Sequence, residues 1–134
     1  MSSITDATDK YWKAEKLNCS CSAACGLCDY YELPEAVGLF RKALIPFGGG
    51  LGEGLTCGGV TGALAALSFI ESSRGTKAEE VRKKSELFKK KFREEMGTLK
   101  CSELVSKDMG KEEKREQCTR AVHQAVLIAQ KILS

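Results

Sequence analysis

The sequence predicts an all-α protein: a single-domain bundle of five to six helices, with a central buried helix after a glycine-rich loop. Three observations support this fold class. Apolar residues recur at helical spacing along most of the chain, and no segment shows the alternation of apolar and polar residues that is typical of strands. The length of 134 residues suits one domain, so we assign residues 1–134 to a single unit.

The first half of the chain contains two predicted helical regions and the loop. Residues 7–31 have helical character, and Pro34 is well placed to open a second helix, which Pro46 ends. Seven glycines then lie between Gly48 and Gly59, which indicates a loop with unusual backbone angles or close backbone contacts. This loop separates the first two helical regions from the next helix.

The second half begins with the predicted central helix. Thr56 is its expected N-cap and Cys57 its first position, and apolar residues cover most of its circumference, as expected for a buried helix. Three further segments complete the bundle. They are a helix capped by Thr76, a short helical turn near Cys101, and a last helix capped by Asp108.

Seven cysteines are the unusual feature of the composition: Cys19, Cys21, Cys25, Cys28, Cys57, Cys101 and Cys118. No secretory signal and no membrane span are evident, so we expect a cytoplasmic protein whose thiols stay reduced. Because the number is odd, the seven cannot all pair within one chain. Many thiols in such a chain indicate metal ligands or redox centres, although single cysteines often serve as small buried apolar residues.

Cys57 is the main candidate for a functional cysteine. It is expected at the start of the buried helix, where unpaired backbone N–H groups and the helix dipole favour an anion. A thiolate there has a lowered pKa and is the reactive form of the side chain. Nearby glycines would let a second sulfur, a metal or a substrate approach: Gly48, Gly49, Gly50, Gly58, Gly59 and Gly62. The alternative role of these glycines is tight packing of the loop on the helix.

Four cysteines lie within ten residues in the first helical region. Cys21, Cys25 and Cys28 share one helix face, while Cys19 points elsewhere. Three thiols on one face could bind a metal ion or cluster, but the same spacing is typical of a stripe that faces the core. Cys118 lies on the inward stripe of the last helix, from which it could reach the bundle centre.

Several other functions are not favoured. Basic residues near positions 82–93 alternate with glutamates, which indicates a solvated helix face rather than a nucleic-acid-binding surface. The run GGGLGEG lacks the preceding strand that a dinucleotide-binding loop needs. Because His123 is the one histidine, the sequence does not indicate the catalytic triad of a hydrolase. We therefore expect no nucleic acid among the partners, while a homodimer stays open.

Two longer motifs carry a family resemblance. The stretch FGGGLGEGLTCGGVTGALAAL and the later KFREEMGTLKCSELV resemble the C_GCAxxG_C_C family of small redox-active proteins. The resemblance implies four key cysteines: Cys57, Cys101, Cys118 and either Cys19 or Cys21. Two departures from the family pattern are visible. Gly59 stands where an alanine usually follows Cys-Gly, and Cys25 and Cys28 lie outside the pattern.

These features lead to two main hypotheses. In the first, the protein is a thiol-based redox protein. Cys57 is the low-pKa thiolate, Cys118 or Cys101 is the resolving partner, and an unidentified redox protein exchanges electrons with them. In the second, the protein binds a metal ion or iron–sulfur cluster as its cofactor. The ligands are then Cys57, Cys101, Cys118 and one of Cys19 or Cys21, with Cys25 and Cys28 as further candidates. A third interpretation is a purely structural accessory role.

Overall fold

Helices form most of the computed structural model, which describes residues 3–134. Within this range there are seven α-helices and three short 3₁₀- or π-helical turns. The helices are α1 (Ile4–Asp9), α2 (Cys19–Tyr30), α3 (Pro34–Ala43), α4 (Gly58–Ser73), α5 (Ala78–Met96), α6 (Cys101–Leu104) and α7 (Lys111–Leu133). The described residues form no strand, and their one isolated β-bridge joins Thr56 to Lys100. The all-α prediction is therefore confirmed.

The predicted number of helices, five to six, is wrong. The first helical region divides into α1, which continues into a π-helical turn over Lys10–Ala14, and the separate helix α2. Lys16 lies between them in a left-handed backbone conformation, with φ 58°. Asn18 then caps α2 through its side chain. The apolar pattern does not mark where the segment before α2 ends, because left-handed residues are usually glycines.

The central helix α4 packs most extensively against α2. Small residues allow this close approach, since a β-carbon on Gly62 would lie 2.1 Å from the carbonyl oxygen of Ser20. On its other side α2 meets α1, where a β-carbon on Gly26 would lie 2.3 Å from the hydroxyl oxygen of Thr8. Helix α2 is therefore tightly packed on two sides, and its position relative to α4 is fixed.

Helices α5 and α7 complete the core around α4. Phe88 and Phe92 of α5 are fully buried, with stacked rings whose centroids are 6.2 Å apart. Helix α7 contributes small and β-branched residues that are also fully buried: Val122, Ala125, Val126 and Ala129. No helix formed by residues 3–134 is long and apolar enough to cross a lipid bilayer.

Three of the predicted helix N-caps are displaced by one or two residues, namely those of α4, α5 (Lys77 rather than Thr76) and α7. Cys57, not Thr56, is the N-cap of α4, because Thr56 takes part in the bridge to Lys100. Helix α7 begins after Gly110 rather than after Asp108. The first of these shifts moves Cys57 from the first helical turn to the boundary between the loop and the helix.

A buried carboxylate joins α4 to α5. Glu71 is only 2% exposed, and Lys84 Nζ donates a hydrogen bond to it at 2.5 Å. Thr76, the predicted cap of α5, instead donates its hydroxyl to Glu71 at 2.8 Å. Burial raises the pKa of Glu71, but the hydrogen bonds from Lys84 and Thr76 outweigh burial and hold that pKa below its ordinary range.

Replacing Glu71 with glutamine is expected to destabilise the protein near neutral pH by about 1–3 kcal/mol, since charge-assisted hydrogen bonds are lost. The lowered pKa sets the sign of the pH dependence. The stabilisation is complete above the pKa of an unfolded glutamate and disappears as the pH falls through the lower, folded-state pKa. Urea unfolding of both proteins at neutral and acidic pH measures the difference between their free energies of unfolding. This difference should be smaller at acidic pH. A difference that is equal at both pH values would contradict the expectation.

Candidate functional site

Four of the seven cysteines line one cavity of about 240 Å³. Cys19 is the first residue of α2, Cys57 directly precedes α4, Cys101 opens α6, and Cys118 lies in the first half of α7. The rest of the wall contains no charged side chain and is formed by Trp12, Asn18, Gly49, Gly58, Leu104, Val105 and Ala121. The fold thus brings together thiols from four separate segments of the chain.

Asn18 fixes the position of Cys19 at the start of α2. Its Oδ1 atom accepts a hydrogen bond from the backbone N–H of Cys21 at 2.9 Å, and its Nδ2 atom donates to the carbonyl of Ile45 at 2.8 Å. Gly48 permits this arrangement, because a β-carbon there would lie 2.7 Å from Asn18 Nδ2. The side chain of Asn18 therefore joins the start of α2 to the segment that leads into the glycine-rich loop.

A short backbone pairing holds Cys57 and Cys101. The N–H of Cys57 donates to the carbonyl of Leu99 at 2.7 Å, and the N–H of Cys101 donates to the carbonyl of Leu55 at 2.6 Å. In antiparallel pairing, these two cysteines are diagonal neighbours on one face, with α-carbons about 7–8 Å apart. A disulfide usually spans about 4.4–6.8 Å between α-carbons, so a direct bond between them would require the pairing to shift.

The sulfur of Cys19 lies against the first residue of α4. A β-carbon on Gly58 would come within 2.2 Å of Cys19 Sγ, so a glycine is needed for this contact. Burial is the main cause that raises the pKa of the other three cavity thiols, and the charge of Cys19 raises each pKa further. This effect falls off with distance. Cys19 lines the same cavity as Cys57, Cys101 and Cys118, and Cys101 likewise contributes to the raised pKa of Cys57 and of Cys118.

The prediction of a lowered pKa for Cys57 is wrong. Its side chain is 6% exposed, and burial raises the pKa of the thiol to about 12. The backbone amides of Val60 and Gly59 lower the pKa, as expected at a helix N-terminus, but burial outweighs them. Burial also raises the pKa of Cys101 and of Cys118. Near neutral pH these three side chains are thiols rather than thiolates.

The glycine-rich loop forms a wall of the cavity and has the unusual backbone angles that the sequence predicts. Four consecutive residues, Gly49 to Gly52, have left-handed φ values between 62° and 71°. Leu51, within this turn, is one of three non-glycine residues with positive φ among residues 3–134. A β-carbon on Gly50 would lie 2.9 Å from the β-carbon of Cys101. Glycine at position 50 therefore lets the loop close onto the Cys101 side of the cavity.

The glycines of α4 differ in how much space surrounds them. At Gly58 and Gly62 an added β-carbon would come within 2.2 Å of a neighbouring atom. At Gly59 the nearest atom, the carbonyl oxygen of Ala121, would be 3.4 Å away, which is close to ordinary van der Waals contact. An alanine, the usual residue of the family pattern, would therefore fit at position 59.

Cys21, Cys25 and Cys28 lie outside the cavity and are buried in the core. The thiol of Cys21 donates to the carbonyl of Arg41 at 3.7 Å, and the thiol of Cys25 donates to that of Val37 at 3.5 Å. Both contacts face α3. Side chains three or four residues apart on a helix have β-carbons about 5–6 Å apart, whereas a disulfide needs about 3.5–4.5 Å. These three cysteines therefore have the geometry of core residues, not of a disulfide pair.

The donor groups do not form a ready-made metal site. Among residues 3–134, no three His, Cys, Asp or Glu side chains converge closely enough to hold a metal ion. All seven cysteines lie in this range and are free thiols. His123 is engaged elsewhere, since its Nε2 atom lies 2.7 Å from Asp9 Oδ1. A metal ion or cluster at the four cavity thiols would therefore require the sulfur atoms to move together.

Trp12 is a cavity residue that the sequence does not single out. Its Nε1 atom donates to the hydroxyl of Thr119 at 2.8 Å, and the guanidinium carbon of Arg115 lies 5.2 Å from its ring centroid. These contacts join the N-terminal segment to α7, more than a hundred residues later in the chain. No local pattern predicts such a contact. Asn18, another cavity residue, does have a local signal, because asparagine is a common N-cap at the start of a helix.

The chain matches a family of known proteins. Residues 17–132 match the family model described as "Putative redox-active protein (C_GCAxxG_C_C)". No curated protein and no solved structure matches the chain. The matched range includes all seven cysteines and the whole glycine-rich loop, so the resemblance noted in the sequence is confirmed over most of the chain.

Proposed function

The chain belongs to the C_GCAxxG_C_C family, and from that premise we propose that it is a thiol-based redox protein. Its reaction is the reversible formation of one disulfide between cavity cysteines, in exchange with an external disulfide. The observation that carries the proposal is the shared cavity of Cys19, Cys57, Cys101 and Cys118. Because no charged side chain lines this cavity, the chemistry available there comes from the sulfur atoms.

Cys19 is the best candidate for the attacking thiolate. It is partly exposed, unlike the buried Cys57, and its sulfur contacts Gly58 at the start of α4. Cys57 is less suitable, because a pKa of about 12 leaves almost no thiolate near neutral pH. The proposal therefore assigns the attacking role to Cys19 and not, as the sequence suggested, to Cys57.

The proposed reaction has two exchange steps. The thiolate of Cys19 first attacks one sulfur of an external disulfide, forms a mixed disulfide and releases one thiolate, which takes up a proton. A second cavity cysteine then loses its proton and attacks Cys19 Sγ, which releases the other external thiol. In total, two protein thiols lose two electrons and two protons, and the external disulfide becomes two thiols.

Cys57 is the expected second cysteine. The contact between Cys19 Sγ and Gly58 brings the attacking sulfur next to residue 57 along the chain. Cys101 is a less direct partner for Cys57, because their backbone pairing makes them diagonal neighbours. In a reducing compartment such as the cytoplasm, the dithiol would be the resting form.

A redox titration tests the proposal. The protein is equilibrated anaerobically with mixtures of reduced and oxidised dithiothreitol. Its free thiols are then alkylated, and the mass of the product is measured by mass spectrometry. We expect one two-electron transition, in which the reduction potential changes by about 30 mV for each tenfold change in the equilibrium constant. Trp12, the single tryptophan, lines the cavity, so its fluorescence should change in the same transition. If no disulfide forms at any ratio, the proposal is wrong.

A metal ion or iron–sulfur cluster bound by the same four thiols is the second candidate. Four cysteines around one cavity are the observation that favours it, and the need for the sulfur atoms to converge is the observation against it. Elemental analysis of anaerobically purified protein separates the two candidates. Stoichiometric metal that is lost when the four cysteines are replaced by serine would favour this second function over thiol exchange.

A further inference from the structure

A charged surface hollow lies directly beside the thiol cavity. Trp12 lines the cavity, and its hydrogen-bond partner Thr119 lines the hollow, which has a volume of about 400 Å³. The other residues of the hollow are all charged: Lys13, Glu112, Arg115 and Glu116. Cys118, which lines the cavity, precedes Thr119 in the chain. The hydrogen bond between Trp12 and Thr119 therefore joins a wall of the cavity to a wall of the hollow.

The charged groups of the hollow are available to a ligand. Glu112, Arg115 and Glu116 take part in no ion pair within 4 Å among residues 3–134. They occupy neighbouring positions on one face of the first turns of α7, as their spacing of three and four residues requires. Lys13, in contrast, already pairs with Asp9 at 3.5 Å. The hollow thus presents one free guanidinium and two free carboxylates.

Arg115 links the hollow to the cavity. Its guanidinium carbon lies 5.2 Å from the centroid of the Trp12 ring, a cation–π contact that restrains the side chain over the ring. Burial and the charges of Cys19 and Cys101 raise the pKa of Cys118, and Arg115 acts in the opposite direction. The charge of Arg115 is therefore close enough to affect a thiol inside the cavity.

We infer that this hollow binds the charged ends of a small disulfide whose sulfur atoms react in the neighbouring cavity. The ends would be zwitterionic, with a carboxylate placed at Arg115 and an ammonium group placed at Glu112 and Glu116. Opposite charges of this kind on one end are characteristic of the disulfide of an amino acid thiol. This substrate class deepens the proposed thiol–disulfide exchange and rests on it.

Four small disulfides that differ in the charge of their ends test the inference. They are cystine (zwitterionic), cystamine (cationic), 3,3′-dithiodipropionate (anionic) and bis(2-hydroxyethyl) disulfide (neutral). The rate of thiol oxidation is measured for each at increasing concentration. We expect cystine to saturate at the lowest concentration and to lose roughly tenfold in second-order rate constant in Arg115→Gln, as for one lost charge-assisted contact.

Further variants make the result specific. Glu116→Gln should also slow oxidation by cystine, and in both variants the loss of rate with cystine should clearly exceed the loss with the neutral disulfide. Arg82→Gln is the matched control, because it removes an exposed arginine of α5 that lies outside the hollow. Equal rates for all four disulfides, or variants that do not affect cystine, would overturn the inference and leave the proposed function intact. If the neutral disulfide oxidises no thiol in the unaltered protein, the proposed function itself fails.

Discussion

Replacing Gly62 with alanine should destabilise the protein by about 3 kcal/mol, the upper end of the usual cost of overpacking. The new β-carbon would lie 2.1 Å from the carbonyl oxygen of Ser20 and 2.8 Å from its α-carbon. Both are backbone atoms of α2, and α2 cannot retreat easily because Gly26 packs against Thr8 on its other side. The higher helix propensity of alanine offsets about 1 kcal/mol of the steric cost at most.

Gly38 provides a matched control for this substitution. It lies inside α3 with no atom within 4 Å of an added β-carbon, and it is exposed. Gly38→Ala should therefore stabilise the protein by about 0.5–1 kcal/mol through helix propensity alone. Guanidinium unfolding of the three proteins measures both effects. If Gly62→Ala is as stable as the unaltered protein, the close packing of α2 on α4 is not as described.

Replacing Cys19 with alanine should remove the redox activity almost completely. The other cavity thiols, Cys57, Cys101 and Cys118, have pKa values raised by burial, so none of them supplies much thiolate near neutral pH. We expect the rate of internal disulfide formation with bis(2-hydroxyethyl) disulfide to fall by at least about 100-fold, as for the loss of a reacting group. Alkylation and mass measurement follow the reaction over time.

Cys25→Ala is the control for the loss of a cysteine as such. Cys25 is fully buried and outside the cavity, and its pKa of about 12, raised by burial, keeps it a neutral thiol. This variant should lose stability because a small space is left in the core, yet its oxidation rate should stay within about threefold of the unaltered protein. Similar losses of rate in both variants would argue against a special role for Cys19.

Much of the fold is predictable from local signals. The continuous apolar surface of α4 indicates a central helix whatever it packs against, and Pro34 marks the first residue of α3 because its fixed φ suits that position. The start of α2 has a local marker in its cap Asn18, but the end of the segment before it is not predictable in this way. It depends on Lys16 in a left-handed conformation, for which the sequence offers no glycine or asparagine as a marker.

The candidate site is only partly predictable, because its chemistry depends on tertiary packing. Cys19 and Cys21 differ by about 200° around the axis of α2, so the choice between them depends on which side of α2 faces the cavity. The helix N-terminus at Cys57 is a local feature that lowers its pKa, but the burial that outweighs this effect comes from neighbouring elements. The contact of Trp12 with α7 has no local signal at all.

Disulfide mapping tests the central claim most directly. The protein is oxidised with one equivalent of bis(2-hydroxyethyl) disulfide, the remaining thiols are alkylated, and the disulfide-linked peptides are identified by mass spectrometry. We predict one internal disulfide that joins Cys19 to Cys57, with Cys21, Cys25 and Cys28 alkylated after unfolding. A disulfide that includes any of those three core cysteines, or one that does not contain Cys19, would contradict the account.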